Sequence, residues 1–375
     1  MFTRGYMAGK AGGATARPLL ISMRLLFAAI LLITFASAQA THSCVVLQYH
    51  HFSSTTPPIT SITPDQFDAQ LNYLQNHHFN IVALRDVVRA LQQHSELPDK
   101  CVSFSIDDAY ISVYTTAYPK LIKRGWPFTV FVNTQAVDQG SRSLMNWNQM
   151  REMARHGASF ENHSYAHSHM IRRKDNESEH DWLEREKHDI QTAQKRITEE
   201  TGTAPRLFAY PYGEFNPTLN RLIEKMGFVG FGQQSGPVWP DANLAALPRF
   251  PMEGNYARLP GFIVKVNTLP LAVIRAAPKD PLVKIADWRP TLTLRLVPDS
   301  YSRKTLHCYL DGSDQLDIVW SRSQQDTLSI TPRFDLKPGR HRTNCTLPSG
   351  HKGHFRWYSH NWYVRQADGR WYAEY

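Results

Sequence analysis

From residue 44 to about residue 232, short apolar runs alternate with stretches whose apolar positions recur at helical spacing. That alternation predicts parallel strands joined by helices. Strands are expected over 44–49, 101–106, 128–132, 158–161, 207–210 and 228–231. Between the first two, Thr63 precedes Pro64 and Gln66, which makes an N-cap, a first-turn proline and a capping-box partner. Phe67, Leu71 and Leu74 then fall on one face of the helix so opened. Asn216-Pro217 opens another helix that Gly227 closes. A stretch over 179–200, rich in charges of both signs, reads as a helix in a solvated outer layer. So many strand signals in so short a region predict an α/β barrel or a strongly curved sheet, with helices outside.

The pattern changes after Pro248-Arg249-Phe250-Pro251. The proline-studded segment 266–290 has few helix signals and reads as a linker packed on the surface. Period-two alternation follows, as in Thr291-Leu292-Thr293-Leu294 and Leu316-Asp317-Ile318-Val319-Trp320. Turn pairs at Asp311-Gly312, Pro338-Gly339, Ser349-Gly350 and Asp368-Gly369 separate the runs, which predicts a small all-β sandwich over 291–375.

Composition adds the compartment. With 42% hydrophobic and 20% charged residues, the 375-residue chain is an ordinary globular protein. At its start, Met23-Arg24 precedes an uncharged apolar run from Leu25 to Phe35, which ends in the small residues Ala38-Gln39-Ala40. This order reads as a secretory signal over 1–40, with Met23 as its more typical start and the mature chain beginning near Thr41. The apolar run is too short to span a bilayer comfortably, so no stable membrane span is expected after cleavage. Removing Arg4, Lys10, Arg17 and Arg24 lowers the net charge from +9 to +5, an excess too modest to imply nucleic acid but suited to an anionic cell envelope. A secreted or periplasmic location follows, and its oxidising chemistry permits the four cysteines to pair. Cys308 with Cys345, in one strand-rich segment, and Cys44 with Cys101, each opening a strand, are the expected pairs, although spacing alone does not fix connectivity.

The polar chemistry gathers at strand ends. Asp107-Asp108 closes the apolar run Ser103-Phe104-Ser105-Ile106, and His163-Ser164-Tyr165-Ala166-His167, Tyr210-Pro211-Tyr212-Gly213 and Tyr49-His50 follow other strands. In parallel β/α folds such ends converge at one mouth. One carboxylate and two imidazoles can hold a divalent ion with an open position for water, leaving a spare carboxylate beside it.

In these three ordered motifs the chain resembles the polysaccharide deacetylases, the carbohydrate esterase family with the NodB-homology domain, over roughly residues 44–265. The resemblance implies a distorted (β/α) barrel over 41–265 and metal-assisted removal of N-acetyl groups from an amino-sugar polysaccharide. It assigns Asp107 as general base, Asp108, His163 and His167 as metal ligands, and the backbone amide of Tyr212 as oxyanion donor. Tyr210, Pro211, Gly213 and Arg249 are then expected to face substrate. The donor set suits Zn²⁺, with Co²⁺, Ni²⁺ and Fe²⁺ as similar ions.

Two departures bear on mechanism. Ala209 stands where many members carry an arginine before the third motif, for which Arg249 is the candidate replacement. The late Leu-x-His that supplies the general acid is missing, since 250–290 contains no histidine. His50 is the candidate acid, and it resembles the Tyr-His of a subgroup acting on exopolysaccharides. His51 and His169 read as bystanders. The pairs Trp357-Tyr358, Trp362-Tyr363 and Trp371-Tyr372 read as sandwich core rather than glycan contacts. The rival readings are an inactive glycan-binding protein of the same fold and a deacylase of another acetylated envelope substrate.

Overall fold

The computed structural model describes residues 43–202, 205–298 and 302–373, so the leader read over 1–40 lies outside the described residues. Strand β1 (Val45–Tyr49) has two buried faces: Val45, Leu47 and Tyr49 pack under the helices, while Val46 lies in the second core cluster. Two short strands, β2 (His51–Phe52) and β3 (Ser61–Ile62), pair beyond its exit. The chain then runs through β4 (Asn80–Ile81), β5 (Cys101–Asp107), β6 (Phe128–Val132), β7 (Ala158–Asn162), β8 (Leu207–Ala209), β9 (Val229–Phe231) and β10 (Phe250–Pro251). These and β1 form an eight-stranded sheet in the order β10-β1-β5-β6-β7-β8-β9, with β4 beside β5. All its pairings are parallel, which requires the crossover helices that the sequence supplies.

Those helices are α1 (Pro64–Asn76), α2 (Leu84–Gln93), α3 (Tyr118–Ile122), α4 (Thr134–Asp138), α5 (Trp147–Arg155), α6 (Glu179–Thr201) and α7 (Pro217–Lys225), with α8 (Leu259–Val266) after the last strand. The capping box at Thr63 and Gln66 is formed, and Phe67, Leu71 and Leu74 are buried as their spacing predicts. Helix α6 is less solvated than its composition suggested: Trp182, Glu186, Ile190, Ala193 and Ile197 are buried. The sheet curls into a half-barrel, and the segment before β10 reaches both of its edges. Leu247 N donates to Gly230 O beside β9, while Leu47 and Phe250 are partners between β1 and β10. Arg249, lying between these anchors, is thereby carried into the interior.

The remaining strands are β11 (Leu269–Pro270), β12 (Val273–Ala277), β13 (Leu292–Leu296), β14 (His307–Leu310), β15 (Leu316–Trp320), β16 (Thr327–Pro332), β17 (Gly339–Pro348) and β18 (Phe355–Val364). They form two four-stranded sheets, β11-β18-β17-β14 and β12-β13-β16-β15. Leu292, Leu294, Leu328 and Ile330 from one sheet share a core with Leu310, Leu347, Trp362 and Val364 from the other, so the sheets make a sandwich. The segment 266–290 is not a plain linker, because β11 and β12 lie within it. Both are edge strands, the positions where nearby prolines disturb a ladder least. Cys44 is bonded to Cys101 and Cys308 to Cys345, as expected. Among the described residues, no helix is long and apolar enough to cross a membrane.

The sandwich packs on the half-barrel. Trp357 meets Phe250 edge-on at 5.4 Å, and Tyr363 shares a core cluster with Tyr210 and Phe215. Trp362 and Tyr363 are buried, in line with a structural role for these aromatics.

Candidate active site

Asp107 ends β5 pointing into the half-barrel, fully buried. Arg249 grips it with two parallel bonds, Nη1 to Oδ1 at 2.7 Å and Nη2 to Oδ2 at 2.8 Å, and Gln48 Nε2 donates to Oδ2 at 2.8 Å. Burial opposes the charge on Asp107, but the guanidinium outweighs it and holds the pKa below the ordinary carboxylate value. Arg249 is itself fully buried and also bonds Gly232 O and Ser105 Oγ, so it orients Asp107 and does not face substrate as expected.

Asp108 and Ala109 follow with φ of 70° and 56°, left-handed turns that swing the second carboxylate toward the β7 exit. There, Asn162 Oδ1 accepts from Ser164 N at 2.9 Å and Ser164 Oγ accepts from His167 N at 2.9 Å. Asp189 on α6 accepts from the backbone of Tyr165 and Ala166 at 2.8 and 3.0 Å. The loop so fixed brings Asp108, His163 and His167 together, with their ligand atoms within 4.8 Å of one another. Asp108 Oδ1 lies 3.5 Å from His163 Nε2 and 3.1 Å from His167 Nε2, yet this buried oxygen has no properly aligned hydrogen-bond donor. His163 Nδ1 donates to Ala209 O at 2.7 Å, which leaves Nε2 as a lone pair facing the carboxylate. Burial pushes the His163 pKa down to about 4, and the nearby histidines keep Asp108 ionised against its own burial. The free Nε2 of His163, the ring of His167 and the orphaned carboxylate oxygen of Asp108, gathered at one point, fit a divalent cation.

His50 lies on the other side of Asp107, its Nε2 3.8 Å from Oδ2. Its Nδ1 makes a short bond to Glu253, a buried residue just past β10. Burial disfavours the imidazolium, but the Glu253 charge and hydrogen bond prevail and raise the pKa to about 9. Glu253 and Gln48 escaped the sequence reading. Both follow or lie in strands that end at this mouth, which is the signal that could have found them. Tyr110 was also missed: it stacks on His51 at 3.5 Å, and burial together with the Asp108 carboxylate raises its phenol pKa.

The third motif corrects further expectations. Tyr210, Pro211 and Gly213 are buried and do not present themselves to substrate. The Tyr210 hydroxyl donates to Asn220 Oδ1 and Ala245 O, because its ring lies with Phe208 on the helix-covered face of the sheet, opposite the interior face that carries Leu207 and Ala209. Gly213 has φ of 69°, and a Cβ there would stand 2.5 Å from the Gln233 side chain, so the position needs glycine. Tyr212 alone of the four is partly exposed, with its ring 4.8 Å from that of His167. His169, expected to be a bystander, stacks on Tyr212 at 3.7 Å and bonds Glu214.

Comparison with known proteins agrees with this geometry. The family model described as polysaccharide deacetylase matches residues 94–231. A poly-β-1,6-N-acetyl-D-glucosamine N-deacetylase of Staphylococcus aureus is 24% identical over 231 residues, covering 56% of this chain and 78% of its own. The structure of IcaB from Ammonifex degensii superposes with a TM-score of 0.52 at 26% identity, covering 60% of this chain and 98% of that one. The Streptococcus pyogenes deacetylase PplD, solved with acetate, shares the fold with a TM-score of 0.54 at 24% identity, covering 60% and 99%. With its motifs in order on a curled parallel sheet and the family model lying across them, this chain carries a polysaccharide deacetylase domain.

Proposed function

We propose that the protein is an exported, divalent-metal-dependent N-deacetylase of an N-acetylglucosamine polymer, with β-1,6-linked chains as the leading substrate class. The observation that carries the reading is the juxtaposition of a gripped, ionised Asp107 with the Asp108, His163 and His167 cluster on one side and the His50–Glu253 pair on the other. The relatives named for poly-β-1,6-N-acetylglucosamine support the substrate class. Paired cysteines and the apolar run of 25–35 support export.

Asp108, His163 and His167 would hold the ion, with Zn²⁺ best suited to two imidazoles and a carboxylate; when bound, it supplies carbonyl polarisation and a more acidic water. Asp107 accepts the proton of the attacking water, and Arg249 and Gln48 fix the direction of its lone pairs. His50 keeps a proton at Nε2, because Glu253 engages Nδ1, and offers it to the departing amine. The backbone amide of Tyr212 meets the developing oxyanion, a contact worth about 3 kcal/mol in comparable sites. With the acid position filled by His50, the inactive glycan-binding reading loses its main support.

The test is acetate release from β-1,6-linked N-acetylglucosamine oligomers and chitooligosaccharides, with metal content measured alongside. Release that stops with a chelator is expected. Bound metal without release from either polymer would overturn the substrate class, and a chain that binds no metal would overturn the site.

A further inference from the structure

Three consecutive residues, the last two of the third motif and Glu214 after them, are held from the C-terminal region, more than a hundred residues downstream. Arg340 on β17 donates through Nη1 to Tyr212 O at 3.1 Å. Tyr363 on β18, itself buried, donates its hydroxyl to Gly213 O at 2.9 Å. Tyr372, beyond β18, donates to the buried carboxylate of Glu214, whose other oxygen is bonded by His169 at 2.8 Å. The Arg340 guanidinium also lies 5.7 Å from the centre of the Tyr212 ring. All three donors fall outside the 94–231 match to the family model.

These contacts bear on a strained point. Tyr212 sits at φ 59° and ψ 4°, a left-handed conformation that a bulky L-residue seldom adopts and keeps only where its surroundings enforce it. Within the turn, Gly213 N bonds Tyr210 O and Glu214 N bonds Pro211 O, which closes the turn but leaves the Tyr212 and Gly213 carbonyls to outside donors. Returning Tyr212 to negative φ would rotate its carbonyl relative to its own N–H. The Arg340 bond to that carbonyl opposes the rotation, and Tyr363 holds the next peptide plane in the same way.

We infer that the sandwich is a working part of the active site: Arg340 and Tyr363 are positioning residues that hold the Pro211–Gly213 turn so that the Tyr212 amide points at the acyl oxygen. This rests on the deacetylase reading and adds to it a role for a region outside the deacetylase domain. A donor displaced by a fraction of its bond length loses transition-state contact while leaving ground-state binding intact.

The full chain is compared with Arg340→Ala, Arg340→Lys and Tyr363→Phe by steady-state acetate release, metal content and crystallography. Arg340→Ala and Tyr363→Phe are each expected to lower kcat by about tenfold with KM changed less than about twofold, metal content equal to wild type, and Arg340→Lys recovering part of the loss. Crystals of the double variant are expected to show Tyr212 out of the left-handed region. Wild-type kcat in both single variants would overturn the clamp, as would a raised KM with unchanged kcat, which would make Arg340 a substrate contact. If the wild-type chain itself releases no acetate, the deacetylase reading fails, and an unmoved turn in the double variant would then overturn the clamp independently.

Discussion

The adjacent carboxylates Asp107 and Asp108 have opposite environments, and that contrast separates their roles. Asp107 accepts three hydrogen bonds, two of them on Oδ2, whereas Asp108 presents a buried oxygen with no donor properly aligned. Asp108→Ala should therefore lose both metal and activity. Asp107→Asn should keep its metal and lose about 10²- to 10⁴-fold in turnover, since it removes only the base. Equal metal loss in the two variants, measured by elemental analysis, would reverse these roles. His50 yields a pH prediction, since its pKa rises from the ordinary 6.5 to about 9 through Glu253. A raised folded-state pKa gives stability that is complete below 6.5 and is lost as pH rises through about 9. In chelator-treated protein the urea midpoint should fall across that window, and Glu253→Gln should flatten the fall. The same substitution should move the basic limb of kcat/KM to lower pH. Asp107, Asp108, His163, His167 and His50 were legible in the sequence because each follows a strand that the apolar pattern marks. Glu253 and the packing of Tyr210 under the helices were not, because they depend on which elements lie beside which.

At the scale of elements, helix α6 shows what periodicity leaves out. Its extent was readable from its charges, but its buried stripe of Trp182, Ile190, Ala193 and Ile197 is thin beside so many polar residues. The helix also anchors the loop that bears the candidate metal ligands, since Asp189 accepts from the Tyr165 and Ala166 amides inside the His163 to His167 segment. Asp189→Ala should free that segment and weaken metal affinity by about 10- to 100-fold, the usual range for groups that orient ligands from behind. Titration of the chelator-treated protein with Zn²⁺ would show it, and unchanged affinity would mean that Asn162 and Ser164 suffice. Strands β11 and β12 were hidden for a related reason. Strand β11 pairs with β18, far along the chain, while β12 pairs with the next strand, β13, across a connection that holds Pro278, Pro281 and Pro290; these prolines read as breaks although edge strands tolerate them.

For the whole molecule, the change of pattern after Pro251 marked two regions, but not how closely they join. Alternation in β18 looks the same whether a residue faces the sandwich core or the half-barrel. In the fold, Trp362 enters the sandwich core, whereas Tyr363 joins Tyr210 and Phe215, and Trp357 packs on Phe250. A chain ending near residue 267 would uncover these rings and strip Arg340, Tyr363 and Tyr372 from the third motif. Independent domains would tolerate that cut and would melt in two steps, since each would keep its own core. Cores that share residues should instead unfold together. The full chain is accordingly expected to show one cooperative calorimetric transition, and the truncated chain to melt lower and expose apolar surface to a hydrophobic dye. Two resolved transitions, with a truncated chain that keeps its melting temperature and its acetate release, would return the sandwich to the status of an appendage and remove the structural basis for its role at Tyr212.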